Sequence, residues 1–454
     1  MVPAVLDQTM LATALPVIAG DLGRLADVSW VVTAYVVAAA AATPLWGKLG
    51  DRHGRKPLLE IALTVFVATS VLCGAAQDIA QLIALRFAQG VAAGGLMSLA
   101  MAAVGDLVSP RERGRYQGYI AATFAVATIV GPLLGGLIVE HASWRWIFFV
   151  NLPIGIFALA GLHRRLPAAT VERPDHPLDA LGAALLAGAT GAVMLVCIWG
   201  GSRYAWDSAA TLALIAAAIV LSVALVARER RARDPIVPLH LLRTRTVAVV
   251  SGALFLATAA LFSITVFVPL YLQTTTGASP TEAGLLLAPA MLAITVSTTF
   301  AGRSIARTGR YRRFPVAGLA LMTAALVLLA AVAAVPSRLA TGVALVVFGL
   351  GFGMVTQVLI MAVQNGVERR ELGIATATTG FFRALGGAVG AAVLGAVFAS
   401  HHDVIGGVQA VFLVAAPIAG LALVAVLLLE EVPLKGDAPS GAVATRGREV
   451  AANV

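Results

Sequence analysis

Gly47-Lys48-Leu49-Gly50-Asp51-Arg52-His53-Gly54-Arg55-Lys56-Pro57 is a short basic stretch wedged between two long apolar runs. A degraded copy returns at Gly302-Arg303-Ser304-Ile305-Ala306-Arg307-Thr308-Gly309-Arg310, again between apolar runs. The flanking glycines and the arginines keep their offsets, while the position of Asp51 is taken by Ala306. A charged hairpin repeated between hydrophobic spans implies a membrane protein built from two related halves.

Composition agrees. Of 454 residues, 59% are hydrophobic and only 12% charged, where a soluble domain carries about 25% charged residues. Crossing a bilayer takes about 20 apolar residues, so fourteen spans would use roughly 280. The net charge of +9 first suggests nucleic acid, but the cations form no single basic face and that partner is excluded. Cys73 and Cys197 both fall inside apolar runs and read as packing residues. The first apolar run starts almost at Met1 without a basic leader, so it reads as a span and not a cleavable signal.

Fourteen spans are predicted: 2–20, 28–46, 58–76, 80–102, 115–139, 146–163, 178–199, 208–227, 246–272, 283–302, 314–334, 339–363, 374–399 and 408–430. Charge placement tests the count. With the N-terminus in the cytoplasm, the inward connections hold most of the 32 lysines and arginines, as the positive-inside rule requires. Lys48, Arg52, Arg55 and Lys56 follow span 2; Arg111, Arg113 and Arg115 follow span 4; Arg164, Arg165 and Arg173 follow span 6. Arg228, Arg230, Arg231, Arg233, Arg243 and Arg245 follow span 8, Arg303, Arg307, Arg310, Arg312 and Arg313 follow span 10, Arg369 and Arg370 follow span 12, and Lys435, Arg446 and Arg448 lie in the tail. Outward connections hold only Arg24, Arg145, Arg203 and Arg338. One hairpin follows span 2 and its copy follows span 10, which divides the chain into a six-helix bundle (1–165), an inserted helix pair with linkers (166–240), a second six-helix bundle (241–430) and a disordered cytoplasmic tail (431–454).

The hairpin resembles the loop signature of the major facilitator superfamily. Arg86-x-x-Gln89-Gly90 in span 4 resembles a second signature, and Gly131-Pro132-x-x-Gly135-Gly136 in span 5 is similar to the antiporter motif. Leu6-Asp7-Gln8-Thr9 and the segment Trp144-Arg145-Trp146-Ile147-Phe148-Phe149-Val150-Asn151-Leu152-Pro153 resemble the fourteen-span drug/proton antiporters of the EmrB/QacA type. The resemblance implies an all-α integral membrane protein of the major facilitator fold, with two six-helix bundles rocking about a central cavity. It implies a multidrug or antibiotic efflux transporter of the bacterial cytoplasmic membrane, with both termini inside. Amphipathic or cationic organic compounds would leave in exchange for protons. The expected partners are the small-molecule cargo, protons and the lipid bilayer, with no cofactor beyond the proton gradient. A monomer is expected, with or without an adaptor protein. A metabolite exporter or symporter of the same superfamily is the alternative, and a non-transporting membrane sensor a more distant one. No nucleotide-binding loop or catalytic cluster is present, so the chain does not read as an enzyme.

Individual residues take roles within that frame. Gly47, Gly50 and Gly54 permit a tight turn and close helix approach. Asp51 can accept hydrogen bonds from a helix N-terminus or an arginine across the interface between halves; with Arg52 and Arg55 it reads as a latch that exists in one packing only, against the plain alternative of a topogenic basic loop. Asp7 is an acid in an apolar span. Such a residue is costly to insert, and an acid that is neutral in one state and ionised in another can exchange protons for cargo. Only six residues precede it, so span 1 is short or begins upstream. Arg86 cannot discharge; it either serves a proton relay with Asp7 or snorkels. Ala127, Gly131 and Gly135 let helices approach closely, with Pro132 as a kink, at an expected interface between halves. Gln89, Gln357 and Arg383 are candidates for the cavity, Arg383 alternatively reaching the cytoplasmic interface. No mid-membrane acid occurs in spans 9–14. His401-His402-Asp403 reads as an incidental polar loop, not a metal site.

Overall fold

The computed structural model describes residues 1–22, 25–108, 112–166, 179–201, 203–232, 234–237, 239–275, 277, 280–333, 337–368 and 371–433. Arg24, Arg111, Arg173, Arg233, Arg369, Arg370, Lys435, Arg446, Arg448, the linker 167–178 and the tail 434–454 lie outside the described residues.

The helices follow in the order α1 (Val2–Leu22), α2 (Leu25–His53), α3 (Arg55–Gly74), α4 (Ile79–Leu107), α5 (Arg113–His141), α6 (Trp146–Phe149), α7 (Asn151–Arg165), α8 (Ala180–Trp199), α9 (Ala209–Glu229), α10 (Leu239–Arg243), α11 (Arg245–Phe262), α12 (Val268–Thr275), α13 (Pro280–Thr308), α14 (Arg313–Ala333), α15 (Arg338–Gly366), α16 (Leu372–Ala399) and α17 (Val404–Leu427). Among the described residues, thirteen stretches are long and apolar enough to cross a membrane, or fourteen with α1, which bends by 46° between Leu11 and Thr13. The bend has a backbone cause: Pro16 has no N–H to give the carbonyl four residues earlier. A π-helical turn, Ser263–Phe267, joins α11 to α12, where Pro269 likewise cannot bond the carbonyl of Thr265.

Short polar side chains set several helix starts. Asp78 accepts from Gln81 N (2.7 Å) at α4, Asp179 from Gly182 N (3.0 Å) at α8, Ser337 from Ala340 N (3.3 Å) at α15, and Asp403 from Gly406 N (2.7 Å) at α17. Each satisfies one of the N–H groups a helix leaves open at its beginning. Asp403, the acid of the His-His-Asp loop, is thus a helix cap.

The duplication is visible in the backbone. Gly54 (φ 87°) and Gly309 (φ 70°) both turn the chain through the left-handed region at equivalent places in the two hairpins. Each donates back to the fourth preceding carbonyl, Gly54 N to Gly50 O (3.0 Å) and Gly309 N to Ile305 O (2.8 Å). The helix pairs repeat as well. Gly90 and Gly94 of α4 lie against the backbone of Tyr35 and Ala39 in α2, and Gly349 and Gly353 of α15 lie against Ala290 and Ile294 in α13. A β-carbon at any of the four would strike main-chain carbonyl, so these crossings exist because the positions are glycine.

Alternate connections gather at one end. Lys48 pairs with Asp234 after α9, Lys56 Nζ donates to His163 O (2.8 Å) at the end of α7, and His240 contacts Glu371 (2.8 Å) before α16. Glu431 accepts from Tyr311 N (2.6 Å) and Asn365 Nδ2 donates to Val432 O (3.2 Å). Residues 431–433, expected to belong to the tail, are therefore pinned between α13–α14 and the end of α15. The hairpins, and with them most of the described basic residues, share this end. Contacts between the two sets of helices are made by α2 with α16, by α5 with α13, and by α4 with α16, while α8 lies against both α2 and α16.

Candidate functional site

Two polar constructions stand out from the apolar interior. The first is centred on Asp7, which is fully buried, as are Gln89 and Ser70, while Arg86 and Asn151 are each 1% exposed. Arg86 forms an ion pair with Asp7 Oδ2 and donates from the same nitrogen to Gln89 Oε1 (2.7 Å). Gln89 Nε2 (3.2 Å) and Asn151 Nδ2 (2.9 Å) both donate to the other carboxylate oxygen. Asn151 Nδ2 also reaches Ser70 Oγ (2.9 Å), which donates to Phe148 O (2.9 Å). Arg86 Nε donates to Val31 O (3.3 Å), and the guanidinium lies 4.2 Å from the Tyr35 ring centroid. A buried ion pair holds only when its remaining donors and acceptors are satisfied, and α1, α2, α3, α4 and α7 all contribute to that end here.

The segment Trp144–Pro153 explains how Asn151 arrives. Trp144 is buried and its Nε1 donates to Asp21 Oδ2 (2.8 Å); Arg145 donates to Ala76 O (2.9 Å). These contacts tie the segment to the ends of α1 and α3, and α7 then begins at Asn151 inside the bundle. Asn151, Ser70 and Tyr35 had no assigned role in the sequence reading; Asn151 stood within a quoted motif, but its pairing spans 144 residues.

The second construction joins the halves. Asp51 Oδ1 accepts from Gly373 N (2.9 Å) and Oδ2 from Ile374 N (2.7 Å), so the carboxylate caps the first turn of α16. Arg55 pairs with Asp51 and donates from Nε to Asp106 Oδ2 (2.8 Å). A methyl group at Gly47 would overlap Ala377, and one at Gly373 would overlap Asp51 and Arg55. Arg52 contacts Asp234 (3.4 Å). Nearby, Gln364 Nε2 of α15 donates to Met101 O of α4 (3.2 Å). The halves are closed against each other at the hairpin end.

Between them lies a cavity of about 210 Å³, lined by residues of α1, α2, α4, α5, α15 and α16, among them Gln8, Tyr35, Met97, Ser98, Phe124 and Arg383. Tyr35 is shared: it lines the cavity, and its ring lies 4.2 Å from the guanidinium of Arg86. Of the three expected cavity residues, Arg383 lines it. Gln89 does not, because it turns to Asp7 and Arg86. Gln357 instead faces a pocket of about 10 Å³ with Gln117 and Thr298, between α5, α13 and α15. The antiporter motif is also differently placed. Gly131 and Gly135 pack against Thr9, Met10 and Thr13 of α1 within the same half, where Thr9 Oγ1 also donates to Ala127 O (3.0 Å). Pro132 is exposed, and Gly136 has open space where a side chain would go. The part of α5 facing the other half is nearer its start, where Gly118 meets Thr299 of α13.

Two helical bundles related by a repeat, with a cavity between them and a buried ion pair close by, are the architecture of membrane proteins built from internal repeats. Residues 1–391 match the Major Facilitator Superfamily, and the chain belongs to it. It is 40% identical over 397 residues to the MFS-type transporter Rv1877 of Mycobacterium tuberculosis, covering 87% of this chain and 58% of that protein's length. It is 33% identical over 392 residues to the multidrug transporter MdtP of Bacillus subtilis, covering 86% of this chain and 72% of MdtP. In fold it is similar to the human organic anion transporter MFSD10, with a TM-score of 0.68 at 18% identity over 94% of this chain and 97% of that one. The chain thus carries the apolar helices of a multi-pass membrane protein of that superfamily, and it spans 58% of the length of Rv1877.

Proposed function

We propose that the protein is a proton-coupled efflux transporter of amphipathic organic compounds, of the fourteen-span drug/proton antiporter type. The observation that carries the reading is the Asp7–Arg86 pair, buried and held by Gln89 and Asn151, with Tyr35 against Arg86 and also lining the central cavity. In the proposed cycle a proton reaches Asp7, neutralises the carboxylate and releases Arg86 from it. That changes the packing of α1 against α2, α4 and α5, the helices that also wall the cavity. The hairpin end faces the cytoplasm, and the Asp51 cap on α16 closes that side. The protein acts in a bacterial cytoplasmic membrane with its termini inside. Relatives named multidrug transporters or efflux pumps at 31–33% identity support export of foreign compounds, including antibiotics.

Proteoliposomes test this directly. With an acidic lumen, the purified protein accumulates amphipathic cargo and loses the ability when an uncoupler collapses the gradient. Asp7→Asn stops gradient-driven accumulation while leaving cargo exchange at equal pH on both sides. Cargo that moves in the same direction as protons points to the symporter alternative, and accumulation unaffected by the uncoupler refutes proton coupling.

A further inference from the structure

We infer that the central cavity is built to hold an organic anion, with Arg383 as the group that receives its charge. The inference rests on the efflux reading and names its cargo class. Thr376, Gly380, Arg383 and Ala384 of α16 fall at helical spacing on one face and line the cavity together. Arg383 Nε is buried without a hydrogen-bond partner. The other buried or nearly buried arginines near the helix interfaces are engaged: Arg86 by Asp7 and Gln89, Arg55 by Asp51 and Asp106, and Arg113 by Gly105 O (2.5 Å). No Asp or Glu is among the described residues lining the cavity. Asp7, next in sequence to the lining residue Gln8, is fully buried and committed to three donors.

An arginine in a membrane interior cannot shed its proton, and such residues are retained where they meet a counter-charge or a pathway. Among the described residues no carboxylate lines the cavity beside Arg383, and that counter-charge is what a cargo anion supplies. The guanidinium fork matches the two oxygens of a carboxylate or sulfonate. Two further donors stand in the same cavity: Ser98 Oγ, buried and unpartnered, and the exposed amide of Gln8. The rest of the wall, including Val36, Met97, Met101, Phe124 and Ile360, is apolar. A bare inorganic anion would leave that surface unused, so the fitting class is a carboxylate or sulfonate on an apolar or aromatic body. Of the amphipathic or cationic cargo expected from the sequence this keeps the amphipathic body and not the positive charge, because no acid is among the described residues lining the cavity.

A matched pair of fixed-charge probes decides it: naphthalene-2-sulfonate and 2-naphthyltrimethylammonium, offered to the purified full-length chain in liposomes with an acidic lumen. The wild type is expected to accumulate the sulfonate at least tenfold over the ammonium. Arg383→Gln loses at least tenfold of sulfonate transport, and Arg383→Lys, which keeps the charge but not the fork, loses at least fivefold. Should Arg383→Gln fail to fold, Arg383→Lys decides, together with the rise in thermal midpoint that the sulfonate gives the wild type and not the lysine variant. Unchanged sulfonate transport in folded Arg383 variants overturns the inference, as does a wild type that carries the ammonium and not the sulfonate; both leave efflux standing. Accumulation of neither probe overturns the efflux reading and this inference with it.

Discussion

Replacing Asp51 by asparagine removes one negative charge and little else. The carboxylate accepts two backbone N–H groups of α16, from Gly373 and Ile374, and pairs with Arg55. Asparagine keeps one acceptor oxygen, so one of the two N–H groups then faces an amide that can only donate. A hydrogen bond to a charged group contributes about 1.5–3 kcal/mol, and a negative charge at a partly buried helix N-terminus up to about 2 kcal/mol. The loss sums to about 3 kcal/mol for the closed packing, and it is absent from a packing in which α16 has moved away. Arg55 is not orphaned, because Asp106 remains 2.8 Å from its Nε, so the variant should fold. The closed-to-open ratio at the hairpin end then falls roughly a hundredfold, at about 1.4 kcal/mol per decade. Spin labels at His53→Cys and Thr308→Cys, exposed positions in the two hairpins, report it once Cys73 and Cys197 are replaced. The wild type gives a single short distance, and Asp51→Asn shifts the distribution to longer ones. An unchanged distribution would mean that Asp51 is a local helix cap with no hold on the packing of the halves.

Two further outcomes follow from the same geometry. Asp7→Asn leaves Arg86 charged and buried, which costs about 3–5 kcal/mol for a broken pair. Its thermal midpoint in detergent falls, and the double variant Asp7→Asn with Arg86→Gln recovers part of the loss, while gradient-driven transport stays absent in both. Gly131→Ala puts a methyl group into Thr9 of α1, an overpacking of about 1–3 kcal/mol; transport and thermal stability both drop, and adding Thr9→Ala restores them. No recovery in that double variant refutes the direct contact.

What the sequence disclosed was whatever depends on local pattern. Apolar runs marked the helices, and the repeat of Gly54 at Gly309 marked the duplication because both need the same left-handed turn. Arg86 and Gln89 were readable as one helical face. The failures share a cause. Small residues at Gly131 and Gly135 announce a close approach but do not say to what, and the neighbour is α1 instead of the other half. Gln89 shares the face of Arg86, and that face turns to Asp7 and not to the cavity. Asp51 accepts from a helix N-terminus, as expected, but its partners on α16 are backbone N–H groups, which every residue but proline carries, so nothing in the side chains around Gly373 could say which helix it caps. Asn151 lay in a quoted motif, yet only the fold brings it to Asp7.

The two cationic sites complement each other in the energetics of export. On the proposed cycle Asp7 offers one proton site, and the spans of the second half hold no mid-membrane acid to offer another. Exchange of one proton for a monovalent cation would move no net charge and leave the membrane potential unused. Exchange of one inward proton for one outward anion moves two charges per cycle, worth about 4.6 kcal/mol per 100 mV. That is enough for a concentration ratio of roughly a thousand from the potential alone. A single carboxylate in one half is therefore sufficient if the arginine in the other half selects the cargo. Arg383 and Tyr35 line the same cavity, and Tyr35 stacks on the guanidinium that Asp7 holds. Binding of the anion and release of the proton thus both act next to Tyr35, which gives the coupling a physical location at the cavity wall.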